Sequence, residues 1–143
     1  MNRRLALFTS ALLIASSAAA FSEPAQAEDS IKTTTEKQGQ NLFKENCSSC
    51  HGLDARGDGP MAGALKTTPA DLTKIAERRE GNFPAGEIAK IIDGRTLVAS
   101  HGSREMPVWG HALGEELGGG ELSDELVRGK LFLLIDYLRS IQR

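Results

Sequence analysis

The chain is poor in aromatic side chains, which make up 5% of its 143 residues. Beyond Ala27 the only Phe, Trp and Tyr residues are Phe43, Phe83, Trp109, Phe132 and Tyr137. A domain of this size has little core to spare, and large rings normally supply much of it. Something other than aromatic side chains is therefore expected at its centre. Cysteine is scarce too, with only two in the chain, which excludes a disulfide-dense framework. There is no excess of positive charge: 17 Lys and Arg face 19 Asp and Glu. That balance argues against a nucleic-acid partner held by bulk charge. No stretch of five or more residues alternates apolar with polar, so strands are not expected. No internal repeat, collagen period or polar tract long enough for a wholly disordered chain is present.

One long apolar run does occur, from Leu5 to Ala20, behind Arg3 and Arg4. It ends in one small-x-small site, Ala18-Ala19-Ala20, and a second, Ala25-Gln26-Ala27, follows. A basic start, an apolar middle and a small-residue site make a secretory signal peptide. Cleavage is expected after Ala27, where polar residues begin. A retained anchor is the alternative. The run includes Thr9, Ser10, Ser16 and Ser17 and is short against a span of about 20 residues. The expected division is a cleaved signal at 1–27, a disordered N-terminus at 28–35 and one folded domain at 36–143. The product would be periplasmic and monomeric, without stable membrane insertion. Cleavage would leave 15 basic and 18 acidic residues. Glu115, Glu116, Glu121, Asp124 and Glu125 have no base between them and read as a solvated loop and helix start.

What the chain has in quantity is glycine, and all 15 glycines lie beyond Ala27. Between the glycine-rich stretches the apolar residues recur at helical spacing. Thr35-Glu36-Lys37-Gln38 fits a capping box opening a helix that runs to about Cys47. His51 to Gly63 reads as loop. Thr68 and Pro69 suggest the start of a helix carrying Leu72, Ile75, Ala76 and Arg79, with Gly81 as its stop. Pro84 to Gly94 reads as another helix, with Ile88, Ile91 and Ile92 inward. Arg95 to Gly110 is irregular, and Gly114 to Gly120 a flexible connector. Ser123 suits the cap of a last helix, stapled by Leu122 and Val127, with an apolar stripe of Leu131, Leu134, Ile135, Leu138 and Ile141. The expected class is all-α, with long loops that need an organising element.

Cys47-Ser48-Ser49-Cys50-His51 supplies a candidate for that element, since Cys-x-x-Cys-His is the spacing of c-type haem attachment. On a helix, positions i, i+3 and i+4 share a face. Two sulfurs could then form thioethers with the haem vinyls while the His51 imidazole ligates iron. A redox-active or structural cysteine pair uses the same spacing, but a thioredoxin-like fold needs strands. A zinc site needs a fourth ligand beyond Cys47, Cys50 and one of His101 or His111. For the other side of the iron the chain offers Met61, Met106, His101 and His111. Pro107 biases Met106 to an extended conformation in a non-helical stretch, and a thioether there would raise the potential. Trp109 can donate an indole N–H and Arg95 can pair with a carboxylate; haem propionates are natural acceptors for both.

Gly39-x-x-Leu42-Phe43-x-x-x-Cys47-x-x-Cys50-His51-Gly52, Gly57-Asp58-Gly59-Pro60, Met106-Pro107-x-Trp109 and Leu134-x-x-Tyr137-Leu138 follow in order. Together they resemble class I bacterial cytochromes c over about residues 36 to 142. The resemblance implies a cytochrome c fold of three to five helices wrapped around one covalent haem c. It implies His51 and Met106 as the iron ligands, and the Pro60 carbonyl as acceptor for the His51 ring. It also implies a close crossing of the first and last helices at Gly39 and Tyr137. The implied function is one-electron transfer between redox partner proteins such as an oxidase, reductase or dehydrogenase, with no enzymatic turnover. The alternatives are a haem-bearing subunit or anchored module of a larger dehydrogenase or oxidase, and a ligand-binding or sensing haem protein.

Overall fold

A computed structural model describes residues 25–95 and 106–143. The expected signal peptide, apart from its last residues, and His101 lie outside the described residues. Among the described residues every regular element is helical, as expected. The α-helices are α1 (Ala25–Asn46), α2 (Ser48–His51), α3 (Ala85–Asp93), α4 (Trp109–Glu115) and α5 (Glu121–Ser140). Short 3-10 turns lie at Ala62–Ala64, Leu72–Lys74 and Glu77–Arg79.

The first helix starts about ten residues earlier than the capping-box pattern indicates. Residues 28–35, expected to be disordered, continue α1 with their side chains largely in solvent. Thr33 and Thr34 donate their hydroxyls to the carbonyls of Asp29 and Ser30, and Thr35 donates to Lys32. A threonine hydroxyl can cap a helix or bond back within one, and here all three bond back. The buried stripe begins only at Gly39 and continues through Phe43 and Cys47.

That stripe faces α5, whose residues Val127, Leu131, Leu134, Ile135, Tyr137 and Leu138 are buried. At the crossing, a Cβ on Gly39 would overlap the Leu133 carbonyl and lie 2.8 Å from Tyr137 Cβ. Only glycine lets the two backbones come this close. Phe43, with no exposed surface, sets its ring 5.5 Å from that of Tyr137 at 47°, a tilted aromatic contact.

Other helical expectations need correction too. Ser123 is the third residue of α5, not its cap; Gly120 takes that place. The Ser123 hydroxyl donates to the Gly114 carbonyl at 2.8 Å and so ties the end of α4 to the start of α5. Leu122 is 75% exposed, so it forms no staple with the buried Val127. The helix expected over residues 72–79 is two 3-10 turns, and Asp71 rather than Thr68 caps the first, accepting from Thr73 N at 2.9 Å. By contrast, α3 runs as expected from behind Pro84 to a left-handed Gly94.

Candidate functional site

The site is built on the single turn that follows α1. The Cys47 carbonyl accepts from the amides of Cys50 at 3.2 Å and His51 at 2.9 Å. The Cys47 amide in turn donates to the Phe43 carbonyl at 2.8 Å, which locks the turn onto α1. Residues 48–51 are thereby helical with Cys47 at the cap, and Cys47, Cys50 and His51 take the i, i+3 and i+4 positions that share a helix face. Cys47 belongs to the buried core, and Cys50 and His51 are half-buried beside it. Burial, with repulsion from Cys50 adding to it, pushes the Cys47 thiol up to about 12.

His51 Nδ1 lies 3.0 Å from the carbonyl oxygen of Ala70. A carbonyl only accepts, so Nδ1 carries the proton and the neutral ring keeps its lone pair on Nε2. Burial holds His51 below the usual histidine range, partly offset by the bond to Ala70. The neutral ring is the form that ligates a metal, and the Ala70 bond orients it.

Ala70 replaces Pro60 as the acceptor for this ring. Gly59 N donates to the Cys50 carbonyl and Met61 N to the Ser49 carbonyl, which pins residues 59–61 to the carbonyl side of α2. Pro60 is left exposed there. The segment that reaches His51 is 69–72. Leu72 N donates to the Ala55 carbonyl at 2.8 Å. Gly57 has φ +82°, and a Cβ there would overlap the Pro69 carbonyl. Asp71 closes the segment by accepting from both Thr73 Oγ1 at 2.7 Å and Thr73 N. Those bonds hold the Asp71 carboxyl below its usual range. Ala70 was missed in the sequence because a backbone carbonyl carries no residue signature. The Asp-x-Thr pattern at Asp71 and Thr73 was the available hint of a capped turn.

Met106 and Trp109 are half-buried and pack against the core cluster that contains Cys47. Met106 precedes α4 in a non-helical stretch, as expected. Met61 is 50% exposed and His111 is exposed on α4, so neither lies against that core. Arg95 departs from the expected propionate pairing. Its Nε donates to Asp93 at 2.9 Å, and it also pairs with Asp124 in the first turn of α5. The carboxylates that it was expected to seek in a cofactor are supplied by the chain's own neighbouring helices.

These residues fit a haem. Two thiols and an oriented imidazole share one turn, and a soft thioether packs on the same core. Leu72, Phe83 and Ile88 on that core are apolar yet only partly covered. No group of three or more His, Cys, Asp or Glu side chains suited to a metal ion occurs among the described residues. Among them, no helix is long and apolar enough to cross a membrane.

Residues 34–117 match the family described as cytochrome c oxidase, cbb3-type, subunit III. No curated protein and no solved structure matches the chain. The family match covers more than half of the sequence and takes in the Cys47–His51 turn, the Ala70 segment, Met106 and Trp109. A cytochrome c domain implies haem, iron and electron transport. With that match added to an all-helical fold and a Cys-x-x-Cys-His turn, the chain belongs to the cbb3-type subunit III family of c-type cytochromes and is a class I cytochrome c.

Proposed function

We propose that this chain is an exported, mono-haem c-type cytochrome that passes single electrons between redox partner proteins and is not itself an enzyme. The observation that carries the reading is the Cys47–His51 turn, with the His51 Nδ1 proton committed to Ala70. Haem c, when bound, supplies one-electron exchange between ferric and ferrous iron. Cys47 and Cys50 would hold it as thioethers, so it is not lost in repeated weak encounters. His51 would ligate through Nε2 and Met106 through sulfur. His51 and Met106 together would hold the iron's surroundings nearly constant between oxidation states. The half-covered apolar side chains of the core would exclude water from the macrocycle. One Cys-x-x-Cys-His occurs in the sequence, which supports one haem. The basic-apolar-small leader supports export to the periplasm.

The test is the visible spectrum of the purified holoprotein. A ferric methionine–iron charge-transfer band is expected in the native protein and should vanish in Met106→Ala, with a drop in midpoint potential. A band that survives the substitution assigns the sixth ligand elsewhere.

The family description favours a second reading, in which the chain is the haem-bearing subunit of an oxidase complex. The chemistry is the same but the protein does not diffuse freely. Recovery of the mature protein in the soluble fraction after cell disruption is expected of the carrier. Co-sedimentation with a membrane oxidase through detergent extraction would favour the subunit.

A further inference from the structure

We propose that Gln142 is a positioning residue for His51, acting from the C-terminus through the segment that presents the Ala70 carbonyl. The proposal rests on the reading of His51 as an iron ligand. Just past α5, the Gln142 side chain reaches back onto residues 72–76. Its Oε1 accepts from the Ala76 amide at 2.9 Å, and its Nε2 donates to the Leu72 carbonyl at 2.9 Å. Nε2 also donates to the Leu138 carbonyl at 2.5 Å, which anchors the amide to α5. Beside it, the Arg143 amide donates to the Thr73 carbonyl at 3.0 Å.

The two loop groups that Gln142 binds are four residues apart. In an α-helix, the amide of residue 76 would bond the carbonyl of residue 72 directly. The Gln142 amide stands between them and satisfies both. This explains why a segment with helical spacing is divided into two 3-10 turns. Leu72 is fixed from both sides, through its amide by Ala55 and through its carbonyl by Gln142. Ala70 is two residues upstream, and its carbonyl meets His51 Nδ1. Without the wedge, Leu72 and Ala76 are free to close an α-turn. That closure pulls on the 69–72 segment and lengthens the bond to His51. A proximal imidazole with a weaker acceptor is less basic and stabilises ferric iron less.

The experiment compares the full-length holoprotein with Gln142→Ala and Gln142→Glu. Gln142→Glu keeps the side-chain shape but replaces the donor to Leu72 by a carboxylate oxygen. Two quantities are measured: exchange of the His51 Nδ1 proton in the ferrous form, and the midpoint potential. We expect exchange to accelerate at least tenfold in both variants. The ferrous-to-ferric ratio at fixed ambient potential should rise about threefold, which is about 28 mV for a one-electron couple at 59 mV per tenfold. Arg139→Ala is the control for mere loss of helix-end stability. Arg139 faces the Phe83 ring and pairs with Asp136, with no bond to residues 70–76. It should leave both readouts unchanged. Native exchange and potential in the two Gln142 variants would overturn the positioning role, as would an equal shift in Arg139→Ala. If Gln142→Ala does not fold, Gln142→Glu decides alone. His51→Ala separates the underlying reading: an unaltered low-spin spectrum there rejects His51 as ligand, whatever Gln142 does.

Discussion

At the scale of single residues, the site depends on one contact across a loop rather than on the motif alone. Gly57 carries that contact. Its φ of +82° lies in the left-handed region, and a Cβ would meet the carbonyl carbon of Pro69 at 3.0 Å and its oxygen more closely still. Gly81 has a similar φ of +85° but open space where its Cβ would be. Both Gly→Ala changes cost the left-handed strain of about 1–2 kcal/mol. Only Gly57→Ala adds steric overlap, worth roughly another 1–3 kcal/mol if the neighbours yield. Urea unfolding of the holoproteins should therefore place Gly57→Ala well below Gly81→Ala, and equal midpoints would mean that the Pro69–Ala70 segment yields freely. The proposed haem-binding residues were legible because Cys47, Cys50 and His51 lie within one turn, where spacing alone sets geometry. Ala70 and Gln142 were not. Their bonds span 19 residues from His51 to Ala70 and 70 residues from Leu72 to Gln142, distances at which neighbours in sequence give no guide.

At the scale of elements, α1 and α5 form the frame on which the Cys47–His51 turn is mounted. Their crossing is set by Gly39, whose missing Cβ admits the Leu133 carbonyl and the Tyr137 side chain. Gly39→Ala has the better helix propensity by about 1 kcal/mol. It must nevertheless destabilise, because backbone atoms of a packed helix cannot step aside as a flexible side chain can. The net loss expected is about 2 kcal/mol, overpacking less the propensity gain, measured by guanidinium unfolding. A neutral or stabilising result would show that the helices separate without cost. This crossing, the apolar stripe of α5 and the limits of α3 were readable from helical periodicity. The starts of α1 and α5 were not, because Thr35 and Ser123 have hydroxyls equally able to cap a helix or to bond elsewhere. Thr35 bonds back to Lys32 and Ser123 reaches across to Gly114. The 72–79 segment was misread for a related reason: its helical pattern is real, but Gln142 takes the bond that would have closed the helix.

At the scale of the whole molecule, buried apolar residues are unevenly shared. Among the described residues, Phe43 and Cys47, six side chains of α5, Ile92 of α3 and Leu113 of α4 make up nearly all of the core. Between His51 and Pro84 the buried hydrophobic residues are Ala55 and Ile75. The helical frame can therefore bury a core by itself, whereas the loop half is held by single backbone bonds, by Gln142 and by whatever it wraps. This refines the expectation drawn from scarce aromatics. The shortage of apolar bulk lies in the loops between His51 and Pro84, not in the α1–α5 crossing. Replacing Cys47 and Cys50, the proposed points of haem attachment, with serine should prevent covalent attachment and expose this division. Regions with few buried contacts open at low free energy, and well-packed helices open near the global limit. In that apo variant, amides of residues 52–83 should exchange close to the rate of an unstructured chain. Those of residues 39–46 in α1 and 127–138 in α5 should keep measurable protection, and much of the far-ultraviolet helical signal should remain. Haem-loaded protein should protect both halves, since a ligand bound only to the native state raises the cost of opening every segment that holds it. Equal protection of loops and helices in the apo variant would show that the loop half folds on its own backbone bonds. Complete loss in both would show that the helical frame, too, depends on the haem.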